Sequence, residues 1–108
     1  MLKSHWKFKI DYVNFPKTNR KFAGVYMIDN VYIGASKHNR GRIISHCNAA
    51  LRNEHGNLGL NNYLNKKITN NETIIIRHID SDIYKEGNYI RFFNPVFNLT
   101  FNSYTNKK

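Results

Sequence analysis

The sequence predicts an α+β domain with a small, mainly antiparallel β-sheet flanked by helices. Three patterns lead there. Residues 5 to 13 alternate, with Trp6, Phe8, Ile10 and Tyr12 on one face and His5, Lys7, Lys9 and Asp11 on the other, the period of a half-buried strand. Two short apolar runs, Ala23 to Ile28 and Val31 to Ala35, flank Asp29-Asn30, a pair that tolerates positive φ and suits a hairpin turn. Residues 39 to 54 then place Ile43, Ile44, Cys47, Ala50 and Leu51 on one helical stripe.

The remaining elements follow in order. Asn14-Phe15-Pro16-Lys17-Thr18-Asn19 reads as a loop between the first strand and the hairpin. Gly41 and His55-Gly56 mark the limits of the long helix, on which Arg42 and His46, four apart, share a face. A short second helix is expected from Leu60 to Lys67, with Leu60, Tyr63 and Leu64 inward. The β-branched run Thr73 to Ile79 reads as a central strand. Asp80 or Ser81 would cap a third helix over 82–93, which Asn94-Pro95 ends because the residue before proline avoids helical backbone. Val96 to Tyr104 would form a last short strand or an ordered extension.

We expect one domain over residues 1–108, with 1–22 an added strand and loop, 23–100 the core and 101–108 a tail. At 41% hydrophobic and 14% aromatic, the chain is too apolar for a disordered basic tail. The single Cys47 excludes an internal disulfide and a cysteine-clustered zinc site. No apolar run approaches the ~20 residues of a membrane span, and Met1 to Lys7 lacks a signal-peptide core, so a cytoplasmic location is expected. The net charge of +10 favours a polyanion partner, and nucleic acid first, because neutralising phosphates releases counterions. A membrane helix fits less well, since the basic residues scatter along the chain.

The chemistry-bearing residues fall in a recognisable order. Gly24-Val25-Tyr26 and Tyr32-Ile33-Gly34 lie on the two hairpin strands, Arg42 follows on the helix, Glu86 opens the stretch Glu-Gly-Asn-Tyr-Ile-Arg-Phe-Phe-Asn-Pro-Val-Phe-Asn, and Asn98 closes it. This sequence resembles the GIY-YIG nuclease superfamily over about residues 23 to 100, on five elements in order with compatible spacing. The final stretch is similar to excision-repair nucleases and to a phage endonuclease. His46 and His55 are placed like two histidines of the intron-homing branch. Ala35 departs from the Lys or Ser common in relatives, which leaves Lys37 as the nearest lysine.

The resemblance implies a Mg²⁺- (or Mn²⁺-) dependent DNA endonuclease that hydrolyses phosphodiester bonds. Glu86 would hold the metal, since a hard cation that keeps most of its waters can be bound by one carboxylate and the substrate phosphate. Arg42 would grip the scissile phosphate with its planar fork. Tyr26 and Tyr32 would activate or position water, given a nearby cation to lower a phenol pKa near 10. His46 and His55 would relay protons or bind phosphate, and Asn98 would hydrogen-bond within the site and hold the tail against it. Gly24 and Gly34 would serve close backbone approach.

Lys37, Arg40, Arg42, Arg52, Lys66 and Lys67 are the expected DNA contacts, mostly to phosphate. The small size and the Asn, Lys and Ile bias suit a phage or mobile-element enzyme. Cutting both strands with one site per chain would favour a homodimer. The alternatives are a catalytically silent nucleic-acid-binding module, or a subunit that needs a protein partner.

Overall fold

The computed structural model describes residues 8–15, 23–52 and 57–98. It is an α+β fold. Four strands form one sheet in the order β1-β4-β2-β3: β1 (Ile10–Val13), β2 (Gly24–Ile28), β3 (Tyr32–Ser36) and β4 (Ile74–Asp80). β2 pairs antiparallel with both β3 and β4, while β1 pairs parallel with β4, from Ile10 opposite Ile74 to Val13 opposite Arg77. β4 is thus central, as its β-branched run predicts, with Ile74 and Ile76 wholly buried. The strand expected over 5–13 is shorter in the described part: β1 begins at Ile10, although the Lys9 carbonyl already accepts from Ile74 N–H at 2.8 Å, and residues 5–7 lie outside the described residues.

The hairpin turns where Asp29-Asn30 predicts. Asp29 has φ 46° and Asn30 φ 67°, left-handed backbone that these short polar side chains tolerate. Val31 N–H donates to the Ile28 carbonyl at 2.8 Å. Asp29 does more than turn the chain. Its carboxylate accepts from the Ile75 N–H and the Tyr63 hydroxyl, each at 2.7 Å, and lies 3.4 Å from Lys67 Nζ. One side chain therefore ties the hairpin tip to β4 and to the second helix.

Helices cover both faces of the sheet. α1 (Asn39–Arg52) and α2 (Leu58–Thr69) bury Ile43, Cys47, Ala50, Leu60, Leu64 and Ile68 against Tyr26, Ile28, Ile74 and Ile76. α3 (Glu86–Phe93) puts Ile90 against Val25, Met27 and Ile33 on the opposite face. The alternation along β2 explains the division, since neighbouring residues of a strand point to opposite faces. α2 starts two residues earlier than expected because Asn57 caps it, its Oδ1 accepting from Leu60 N–H at 3.0 Å.

The cap of the third helical segment differs from expectation. Asp80 is occupied by the Asp82 N–H and the Tyr89 hydroxyl, so Asp82 makes the cap, accepting from Tyr84 N–H at 2.9 Å. The segment opens as a 3₁₀ turn over Ile83–Lys85 before α3 begins. Asn94, at φ 49°, ends α3 in a left-handed cap. Beyond it, Val96–Asn98 is a single 3₁₀ turn where a strand or extension was expected, and residues 99–104 lie outside the described residues.

Candidate active site over strand β3

Tyr26 faces Gly34 across the β2–β3 ladder. A Cβ on Gly34 would stand 2.5 Å from the Tyr26 hydroxyl oxygen and 2.6 Å from Cζ. The absence of a side chain lets the phenol lie flat across β3. The ring is 1% exposed, and its hydroxyl comes 3.3 Å from His46 Nε2 on α1. The other motif glycine has a separate role. Gly24 sits at φ 136°, and a Cβ there would lie 2.3 Å from the Asp80 carbonyl oxygen.

Tyr32 lies two residues before Gly34 and so shares its face. Its ring meets the His46 imidazole edge to face, centroids 5.5 Å apart at 71°. Arg42 is one turn before His46 on α1 and is exposed. Glu86 is the first residue of α3 and is half-buried. α1 and α3 both contact β3, which brings the two opposite charges to the same edge strand. Both Arg42 and Glu86 are close enough to act on Tyr26 and Tyr32. Among the described residues neither side chain makes a hydrogen bond or ion pair.

The electrostatics follow from burial. Desolvation pushes the Tyr26 phenol far above its usual range, and the Tyr32 phenol upward too, outweighing the pull of Arg42. Both are neutral hydroxyls at pH 7. Desolvation, reinforced by Arg42, lowers His46 from 6.5 to about 4, so the imidazole is neutral and one ring nitrogen is free to accept a proton. Burial raises Glu86 above the usual glutamate value, with Arg42 acting the other way.

Asn98 occupies a different position from the cluster. It is 6% exposed, and its amide is spent on one residue: Oδ1 accepts from Ile33 N–H at 2.9 Å and Nδ2 donates to the Ile33 carbonyl at 3.0 Å. With Phe97 N–H donating to the Val31 carbonyl at 2.9 Å, the segment covers the free edge of β3. Asn57 Nδ2 donates to the Phe97 carbonyl, fixing the same segment to the start of α2. Asn98 thereby holds β3, and with it Tyr32 and Gly34, from behind.

The expected DNA contacts divide by location. Lys37, Arg40 and Arg42 are exposed around the start of α1, where Ser36, Lys37, His38, Gly41, Arg42 and Ser45 line a shallow groove beside the cluster. Arg40 also lies over the Tyr12 ring, 5.8 Å from its centroid. Arg52 is exposed in the last turn of α1, about 15 Å further along at 1.5 Å per residue. Lys66 and Lys67 end α2, and Lys67 is engaged by Asp29 at 3.4 Å and Glu72 at 3.6 Å. His55 lies outside the described residues. The groove residues Ser36, His38 and Ser45 carry no motif that sequence reading could have used. The same holds for Asn39, wholly buried, with neither amide atom hydrogen-bonded among the described residues.

A metal-binding group of three or more His, Cys, Asp or Glu is absent among the described residues. Among the described residues the donor set at the cluster is the Glu86 carboxylate alone, half-buried and without an ion-pair partner. An oxygen donor of that kind fits a hard cation that keeps most of its own waters. No helix among the described residues is long and apolar enough to cross a membrane. Compared with protein-family models, curated proteins and solved structures, the chain matches none.

Proposed function

We propose that this protein is a Mg²⁺- or Mn²⁺-dependent DNA endonuclease of the GIY-YIG type. The observation that carries the reading is the gathering of Tyr26, Tyr32, Arg42, His46 and Glu86, drawn from two strands and two helices, around the edge strand β3. Packing alone does not call for a carboxylate and a guanidinium beside two tyrosines, neither with an ion-pair partner among the described residues. The +10 charge supplies the attraction for a phosphate backbone.

In this reading Arg42 binds the scissile phosphate, its fork matching two oxygens. Lys37 and Arg40 hold flanking phosphates. A divalent ion held at Glu86 would supply charge neutralisation on the phosphate and leaving oxygen. The proton of the attacking water passes to the neutral hydroxyl–imidazole pair. With Nε2 unprotonated, Tyr26 donates to His46, so a proton taken up at the phenol oxygen is matched by one released to the imidazole. Tyr32 packs against His46 and fixes the ring's orientation. Asn98 positions β3 and touches no substrate.

The test is plasmid cleavage. Purified protein should nick or linearise supercoiled DNA in Mg²⁺ and do nothing in EDTA, and Glu86→Ala should lose the activity while still binding DNA. Salt-sensitive binding without cleavage by the wild-type protein would instead favour the silent or partner-dependent module.

A further inference from the structure

The first turn of α1 is capped by a histidine. The Gly41 N–H donates to Nδ1 of His38 at 3.2 Å, and the Arg42 N–H donates to the His38 carbonyl at 3.0 Å. Ring and main chain of one residue thus close the turn, as an N-cap does when its side chain serves the third helical N–H. Ser36 fixes the cap in its turn, its Oγ accepting from the His38 N–H at 2.8 Å. The ring lies so close that a Cβ on Gly41 would stand 3.3 Å from Nδ1. The common capping side chains, Ser, Thr, Asp and Asn, remain acceptors around neutral pH. An imidazole does not. A backbone N–H can only donate, so Nδ1 is unprotonated here and the ring's one proton sits on Nε2. A second proton makes both ring nitrogens donors and leaves Gly41 without its acceptor.

The surroundings set protonation against the capped turn. α1 has no acid in its first turn, and the positive end of its dipole points at the cap. Lys37 precedes His38 in the chain, Arg40 and Arg42 follow on the turn, and β3 contributes the uncharged Ser36. Glu86, from α3, acts on Arg42. The turn also has little stability in reserve. Its first residue, Asn39, is wholly buried with neither amide atom hydrogen-bonded among the described residues, a desolvation cost that makes the turn lean on its cap. Arg42 is the last residue of that turn, so whatever frays the turn moves the guanidinium away from β3.

We infer that His38 is the positioning residue for Arg42: neutral, it caps α1 and holds the turn that carries the guanidinium, and protonated, it lets that turn go. The cap is tested without DNA or metal, whereas the consequence for phosphate binding rests on the nuclease reading. Melting of the full chain should be followed from pH 8 to pH 5, where an imidazole changes charge. At pH 8 His38→Ala should melt about 4–8 °C below wild type, the scale for one lost cap in a small domain, and His38→Asn, which keeps an acceptor there, should recover most of the loss. As the pH falls to 5 the wild type should descend to the level of His38→Ala, while His38→Asn stays above both. Acid sensitivity from other groups, His46 included, is common to all three and cancels in the differences. A gap between wild type and His38→Ala that keeps its size down to pH 5 overturns the proposal, as does His38→Ala melting with wild type at pH 8. With plasmid DNA at pH 8, His38→Ala should weaken binding up to about fivefold, the worth of one cap, and should add nothing in an Arg42→Ala background. A full effect in that background puts His38 itself on the phosphate and overturns the positioning role. If the wild type binds no DNA, the nuclease reading fails and the melting curves alone decide the cap.

Discussion

The Tyr26 hydroxyl reaches His46 Nε2, 3.3 Å away, only because residue 34 has no side chain. The phenol crosses β3 where a Cβ would overlap it. Gly34→Ala should therefore act on both stability and the hydroxyl–imidazole contact. The ring is buried and cannot swing into solvent, so we expect about 1–3 kcal/mol of destabilisation from overpacking. Urea denaturation would measure the loss, and a shift in the His46 ring resonances would show that the contact has moved. An unchanged His46 signal would mean that the ring accommodates the methyl without leaving the imidazole.

His46 should make stability pH-dependent in the acid range. Its folded pKa, about 4, lies below the usual 6.5, so between these values the unfolded chain binds the extra proton. Stability is then full above about 6.5 and falls as pH drops toward 4, by at most about 3 kcal/mol at 1.36 kcal/mol per unit. Denaturation midpoints measured from pH 7 to pH 4 should slope less in His46→Gln than in the wild type. Parallel slopes would assign the acid sensitivity to other groups.

Glu86 should cost the fold stability where it is charged. Burial raises its folded pKa above 4.5, which disfavours the carboxylate in the native state. Its favourable contribution is present below 4.5 and is lost as pH rises through the folded pKa. Glu86→Gln should consequently melt higher than wild type at pH 7, with the gap closing as pH falls below 4.5, and should abolish Mg²⁺-dependent cleavage. Such a trade of stability for activity is common at sites. A lower melting temperature at pH 7 would mean that Glu86 is a structural partner of Arg42.

Asn98→Ala should destabilise without touching the cluster's chemistry. It removes two hydrogen bonds and leaves the Ile33 N–H and carbonyl without their partner, worth about 2–3 kcal/mol together. Asn98→Asp should be no better, because it keeps the acceptor but sets a carboxylate against the Ile33 carbonyl. Under stabilising conditions Asn98→Ala should bind DNA as the wild type does. A binding loss that persists when folding is restored would put Asn98 in contact with the substrate.

Local patterns were readable where local forces decide. Asp29-Asn30 announces its turn because few residues accept left-handed backbone, and the stripe from Ile43 to Leu51 announces a helix by its period. The Arg42–His46 pairing needs only the helical repeat. Partnerships set by tertiary structure were not readable. Nothing near Ile10 says that β1 runs parallel to β4, and nothing near Asn98 names Ile33, 65 residues away, as its partner. The reach of Tyr26 over Gly34 depends on strand register, and the role of Asp29 in joining three elements depends on how α2 lands. The 3₁₀ opening at Ile83–Lys85 was hidden because Asp80 is taken up by Tyr89.

The order of the strands has a consequence for synthesis. β4 lies between β1 and β2 in the sheet but comes last in the chain. As the chain leaves the ribosome, the β2–β3 hairpin can form from neighbouring residues, while β1 has no strand to pair with until residues 74–80 have emerged. Glu86 follows within a few residues, and the Asn98 clasp on Ile33 later still. Closure of the sheet and arrival of the carboxylate are thus nearly one event, so a chain still being translated holds the tyrosines and the arginine but not the finished cluster.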